Sequence, residues 1–64
     1  MTINEKIYII RINKGISQAE LAYRTGFSID DIKLFETNGT TISGYTLLKL
    51  LNAFKMKIKE FREL

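Results

Sequence analysis

The chain contains no cysteine, no histidine, no proline and no tryptophan. Without cysteine or histidine, disulfides and the usual zinc cages are excluded, and thiol and imidazole nucleophiles go with them. The lack of proline leaves glycine and small polar residues to punctuate the chain. No apolar run approaches the ~20 residues of a membrane span, and Met1 to Lys6 lack the basic start and hydrophobic core of a secretion signal. A cytoplasmic location with no membrane partner is therefore expected. No carboxylates converge outside the adjacent Asp30 and Asp31, so no enzyme, metal, cofactor or small-molecule substrate is expected either.

What the chain does have is a high apolar content, 45%, in 64 residues. That length predicts one domain over residues 1–64, burying only roughly 60% of its unfolded surface and held together by helix packing, with or without a partner chain. The net charge of +3 permits a polyanionic partner, but its distribution matters more than its total. Residues 1–16 carry plus two, residues 17–46 minus two, and the remainder plus three.

Apolar spacing predicts five short helices and no strand. In the first, residues 3–13, Ile3, Ile7 and Ile10 recur on one face, and Gly15 is placed to end it through a left-handed turn. Ser17 with Glu20 forms a capping-box pattern, so the second helix starts at Gln18, with Leu21, Ala22 and Thr25 on its inner face. Gly26 then supplies a tight turn, and Phe27 returns the chain to the core. Ser28 with Asp31 repeats the capping pattern for a third helix carrying Ile32 and Phe35 inward and running to about Asn38, where Gly39 stops it. Residues 39–43 are expected as a loop. Ser43 caps a fourth helix with Leu47, Leu50, Leu51 and Phe54 inward, and Met56, Ile58 and Phe61 continue the apolar pattern into a fifth.

Two capping signals eleven residues apart, with a glycine and a hydrophobic residue between them, predict two short helices across a tight turn. At this point the sequence resembles the lambda-repressor and Cro-like helix-turn-helix family over almost its whole length. The matching stretches are Ile10-Arg11, Lys14 to Ala22, Gly26-Phe27-Ser28, Ile32, Glu36 and Thr46 to Leu50. The resemblance implies a compact all-α five-helix domain and a transcription regulator, repressor-like and dimeric, that binds double-stranded DNA with half-sites about one helical turn apart.

It also implies roles for individual residues. Gln18 matches a glutamine that opens the second helix beside the DNA backbone and binds phosphate, although an ordinary first-turn role is the alternative. Arg11 and Glu36 match a largely buried ion pair between helices 1 and 3, with a free phosphate contact as the alternative for Arg11. The reading helix, about residues 28–38, opens at Ser28 and presents Ile29, Asp30, Lys33 and Leu34 where base edges are usually met.

That set departs from the residues favoured for direct readout: only Lys33 fits easily, while Ile29 or Leu34 suits a thymine methyl. Asp30 either accepts from a cytosine amino group or repels phosphate, and Asp31 adds to the repulsion unless it serves as a cap. Neutral donors at Thr37, Asn38, Thr40, Thr41, Ser43 and Tyr45 are expected to contact phosphates. The lysines of the basic C-terminal stretch read as a solvated face, lying mostly away from the duplex.

Tyr8, Ile9 and Ile12 fall outside the inner face of the first helix and are expected either to form an interface, with a second copy or a protein partner, or to tuck against the C-terminal helix. A helix-turn-helix recruited for protein interaction through its apolar, acidic third helix is the competing function. Salt separates the two, because phosphate contacts weaken steeply as salt rises and apolar contacts do not.

Overall fold

The computed structural model describes residues 1–64 and contains five α-helices and no strand: α1 (Ile3–Asn13), α2 (Gln18–Thr25), α3 (Ile29–Phe35), α4 (Gly44–Phe54) and α5 (Ile58–Arg62). No helix is long and apolar enough to cross a membrane. Four of the five starts are set by a hydroxyl residue in extended conformation, Thr2, Ser17, Ser28 and Ser43, whose oxygen accepts from the backbone amide three residues on.

The reciprocal half of the capping box is present at only some of these starts. The Glu5 carboxylate returns to Thr2 N, and that of Asp31 to Ser28 N. The hydrogen bonds to Thr2, backbone first and then side chain, hold the Glu5 carboxyl below its ordinary value. The box expected at Ser17 and Glu20 is half formed: Glu20 turns instead toward Arg24, one helical turn on, since an exposed acid is as well served by an i,i+4 cation as by the cap.

Two helix ends share one bond pattern. After α1, Gly15 takes φ 67° while its amide donates to Ile12 O and that of Ile16 to Arg11 O. This pair of bonds closes the last turn and sends Ile16 into the core. After α4 the same bond pattern recurs with Lys55 at φ 55°, a left-handed position that glycine would adopt without steric cost.

The core is a single cluster of Ile7, Ile10, Ile16, Leu21, Ala22, Ile32, Leu50, Leu51, Phe54 and Phe61, with Phe27, Phe35, Ile42, Leu47, Ala53 and Met56 packed partly against it. Two expected core positions lie outside it. Ile3 is exposed, and the inward position of that first turn belongs to the buried Asn4. Ile58 opens α5 on the solvent side, leaving Phe61 to anchor the helix. There Lys6 Nζ lies 5.1 Å from the Phe61 ring centroid and donates to Phe61 O.

Candidate nucleic-acid interface

The α2–turn–α3 unit is built around Thr25 and Gly26. The buried Thr25 hydroxyl donates to Leu21 O at 2.8 Å and accepts from Phe27 N, while Gly26 takes φ 82° to reverse the chain. A side chain at Gly26 would meet no neighbour, so the constraint there is backbone conformation. Phe27 then packs edge-on against Phe35, centroids 5.1 Å apart, which fixes the start of α3 against its own last turn.

On this support α3 turns Ile29, Asp30, Lys33 and Leu34 to the exterior, and all four are exposed. Asp31 is half-buried and serves as the helix cap, so of the two acids only Asp30 is left facing outward without a partner.

The third helix is shorter than its apolar pattern suggested. It ends at Phe35, not at about Asn38, and residues 36–39 form a turn. Thr2 and Asn4, at the start of α1, bond to the segment where it stops. Asn4 Nδ2 donates to Phe35 O at 2.8 Å and Thr40 O at 3.0 Å, and Thr2 Oγ1 donates to Asn38 Oδ1 at 2.7 Å. The last helical carbonyl, Phe35 O, is thereby satisfied by a side chain from another element. Asn4 escaped the sequence reading because an asparagine on the inner face of a helix has no local signature; Thr2 with Glu5 does carry the capping pattern seen at Ser17 and Glu20.

Arg11 and Glu36 meet beneath this turn. Arg11 Nε and Nη2 donate to the two carboxylate oxygens of Glu36, Nη1 donates to Ile16 O at 2.8 Å, and the side chains are 9% and 5% exposed. Such a fork-to-fork arrangement, with each of the three guanidinium nitrogens bonded to an oxygen, is what a buried charge pair requires. Gln18 joins the network, Nε2 donating to Glu36 Oε1 at 3.2 Å. One N–H of its amide is thus engaged by a protein acid, and the second is left for another acceptor.

Several hydroxyl residues at the edge of α3 and α4 also have internal partners. The Thr37 hydroxyl donates to Lys33 O at 2.8 Å, and that of Ser43 donates to Thr46 Oγ1 while accepting from Thr46 N. A phosphate oxygen only accepts, so a hydroxyl whose one proton is already placed is a poor donor to it. Thr41 and Tyr45 are exposed, and Thr40 is half-buried with its amide donating to Thr37 O.

The charge of the face also differs from its linear count. Of the four acids in residues 17–46, Glu36 is matched by Arg11 from α1 and Glu20 by Arg24. From α4, Lys49 Nζ lies 4.8 Å from the Phe27 ring centroid and 5.8 Å from that of Tyr45, so one lysine assigned to a distant solvated face stands beside the turn. Folding brings Arg11 and Lys49 into a stretch that is minus two in sequence, which cancels its negative balance.

On another face of α1, Tyr8 and Ile12 are exposed and Ile9 is half-buried. Tyr8 and Ile9 line a shallow groove of about 270 Å³ with Glu5, Glu36 and Asn38. If this strip holds a second copy or a partner, Ile9→Lys with Ile12→Lys is expected to give a folded monomer by analytical ultracentrifugation. A wild type that is already monomeric and captures no partner would dismiss the idea.

A family model described as the Cro/C1-type HTH DNA-binding domain matches residues 6–64. No curated protein sequence matches this one significantly. Among solved structures, a single-residue mutant of the restriction-modification controller protein C.Esp1396I is similar in fold, with a TM-score of 0.89 at 24% identity. The match covers 95% of this chain and 81% of that one.

Proposed function

Because the chain belongs to the Cro/C1-type helix-turn-helix DNA-binding domain family, we propose that it is a cytoplasmic, repressor-like transcription regulator that reads DNA sequence through α3 and acts as a homodimer on paired half-sites. The observation that carries this reading is the exposure of Ile29, Asp30, Lys33 and Leu34 along one short helix, whose base is fixed by Asn4, Arg11 and Phe27. A rigidly mounted, outward-facing helix of this length suits entry into a major groove.

In this reading Lys33 supplies the charged donor to base edges, Ile29 and Leu34 pack on thymine methyls, and Ser28, Thr41 and Tyr45 reach phosphates. Gln18 acts through Glu36, holding the start of α2 in place; Thr37, Asn38, Thr40 and Ser43 shape the backbone around the contact. Titration of random-sequence and selected duplexes at low salt, followed over a salt series, tests the proposal. Binding that weakens steeply with salt supports it, and no binding at low salt removes it.

Lys33→Ala is expected to cost about 1 to 3 kcal/mol of specific affinity, the range of one good base contact. Asp30→Ala separates two roles by sign. Loss of a carboxylate that only repels phosphate strengthens binding to every duplex, whereas loss of one that accepts from a cytosine weakens binding at a single base position. Competition assays across single-base variants of a selected site read both outcomes.

A second reading is favoured by the apolar exposure of α3, where Ile29 is 44% and Leu34 54% accessible: a protein partner could cover that helix. Salt-insensitive association lost on changing Ile29 and Leu34, with no DNA binding, would establish this alternative.

A further inference from the structure

The proposed interface has few charged donors of its own. Within residues 17–46 Arg24 is directed to Glu20 and Ala53 O, which leaves Lys33 as the cation that α3 itself presents. The structure supplies another from outside the motif. Tyr45 and Lys49 are four residues apart on α4, so they share a face of that helix, and that face is turned toward the α2–α3 turn by the packing of α2 on α4. The Lys49 ammonium rests between two rings, 4.8 Å from the centroid of Phe27 and 5.8 Å from that of Tyr45.

We propose that Lys49, with Tyr45 beside it, forms a binding subsite for one backbone phosphate of duplex DNA, next to the start of the reading helix. The inference rests on the DNA-binding reading above and deepens it. Three observations converge on it.

Phe27 immediately precedes Ser28, the cap of α3, so a charge held over Phe27 stands at the entrance of the reading helix. Tyr45 is 71% exposed and carries a neutral hydroxyl donor on the ring that the cation faces. Lys49 is half-buried and forms no ion pair. Its charge is steadied by two ring faces and neutralised by no carboxylate.

A lysine so placed has already lost much of the rotamer freedom that a free surface lysine would lose on engaging phosphate. Its ammonium remains one of the strongest available donors to a phosphate oxygen. The duplex is the partner because the subsite adjoins the helix that would enter its groove, and a single cation and phenol are too few to hold free phosphate alone.

The purely structural role for Lys49, pinning α4 to the turn, makes different predictions, and Lys49→Met separates them by keeping the apolar stem over Phe27 while removing the charge. If Lys49 meets a phosphate, the slope of log K against log salt for duplex DNA becomes shallower by about 0.9, and affinity at 50 mM salt falls roughly tenfold for all sequences alike. Lys49→Arg should retain the slope. An unchanged slope with Lys49→Met, at a temperature where circular dichroism shows it folded, overturns the subsite while leaving the DNA-binding reading intact.

Absence of DNA binding by the wild type overturns both. A measurement on the unsubstituted sequence guards against a variant that fails to fold. Reductive methylation keeps the lysine charge, and the methyl NMR signal of Lys49 should shift when duplex is added. A Lys49 signal that stays in place at saturating duplex overturns the subsite.

Discussion

Glu36→Ala is expected to destabilise the domain by about 3 to 5 kcal/mol, because it strands the Arg11 charge in a site that water barely reaches. Arg11 is 7% exposed, and after the change only Ile16 O would still accept from it. Gln18 would lose its acceptor in the same step. For a small domain with stability near the lower end of the usual range of about 5 to 15 kcal/mol, this loss leaves much of the population unfolded at physiological temperature.

Urea denaturation followed by circular dichroism measures the effect. Changing both partners, Arg11→Met with Glu36→Leu, should regain most of the loss, since apolar groups of similar volume need no counter-charge. A loss below about 1 kcal/mol in Glu36→Ala would mean that water solvates Arg11 freely and that the pair is not shielded.

Asn4→Leu should cost about 2 to 4 kcal/mol even though it adds an apolar side chain at a buried position. The Asn4 amide satisfies two carbonyls, Phe35 O and Thr40 O, and a leucine excludes water from both while offering no donor. Asn4→Asp should be at least as harmful, because its carboxylate would face the same two oxygens with no proton to give. Amide hydrogen exchange adds a local readout, with faster exchange expected through residues 36–41 in either variant. If Asn4→Leu melts with the wild type, the two carbonyls are solvated in solution, and the early end of α3 needs another cause.

Both effects fall on the same joint, where α1 and its N-cap grip the end of α3. Thr2, Asn4 and Arg11 hold Asn38, Phe35 and Glu36 respectively. That joint sets the direction in which α3 projects, so stability and DNA reading should decline together when it is loosened.

Helix starts were legible along the chain because they depend on contacts three residues apart. A hydroxyl followed by the amide it caps is present in the sequence before any folding, as at Ser17, Ser28 and Ser43. The turn at Gly26 and the inner faces of α2 and α4 were legible for the same local reason: a left-handed residue and a 3.6-residue period need no distant partner. The resemblance that paired Arg11 with Glu36 lay in the chain as well.

Tertiary structure alone decided where α3 ends, which group Gln18 addresses, and how charge is spread over the candidate interface. The physical reason is common to the three: each is settled by a side chain far away in sequence. Asn4 takes the carbonyl of Phe35 across 31 positions, Glu36 receives Gln18 across 18, and Lys49 reaches Phe27 from another helix. Hydrogen bonds and charges act over a few ångströms of space, and only packing brings such groups within that range. The resemblance therefore placed Lys49 on a distant solvated face, while the fold sets it over Phe27, beside the start of α3.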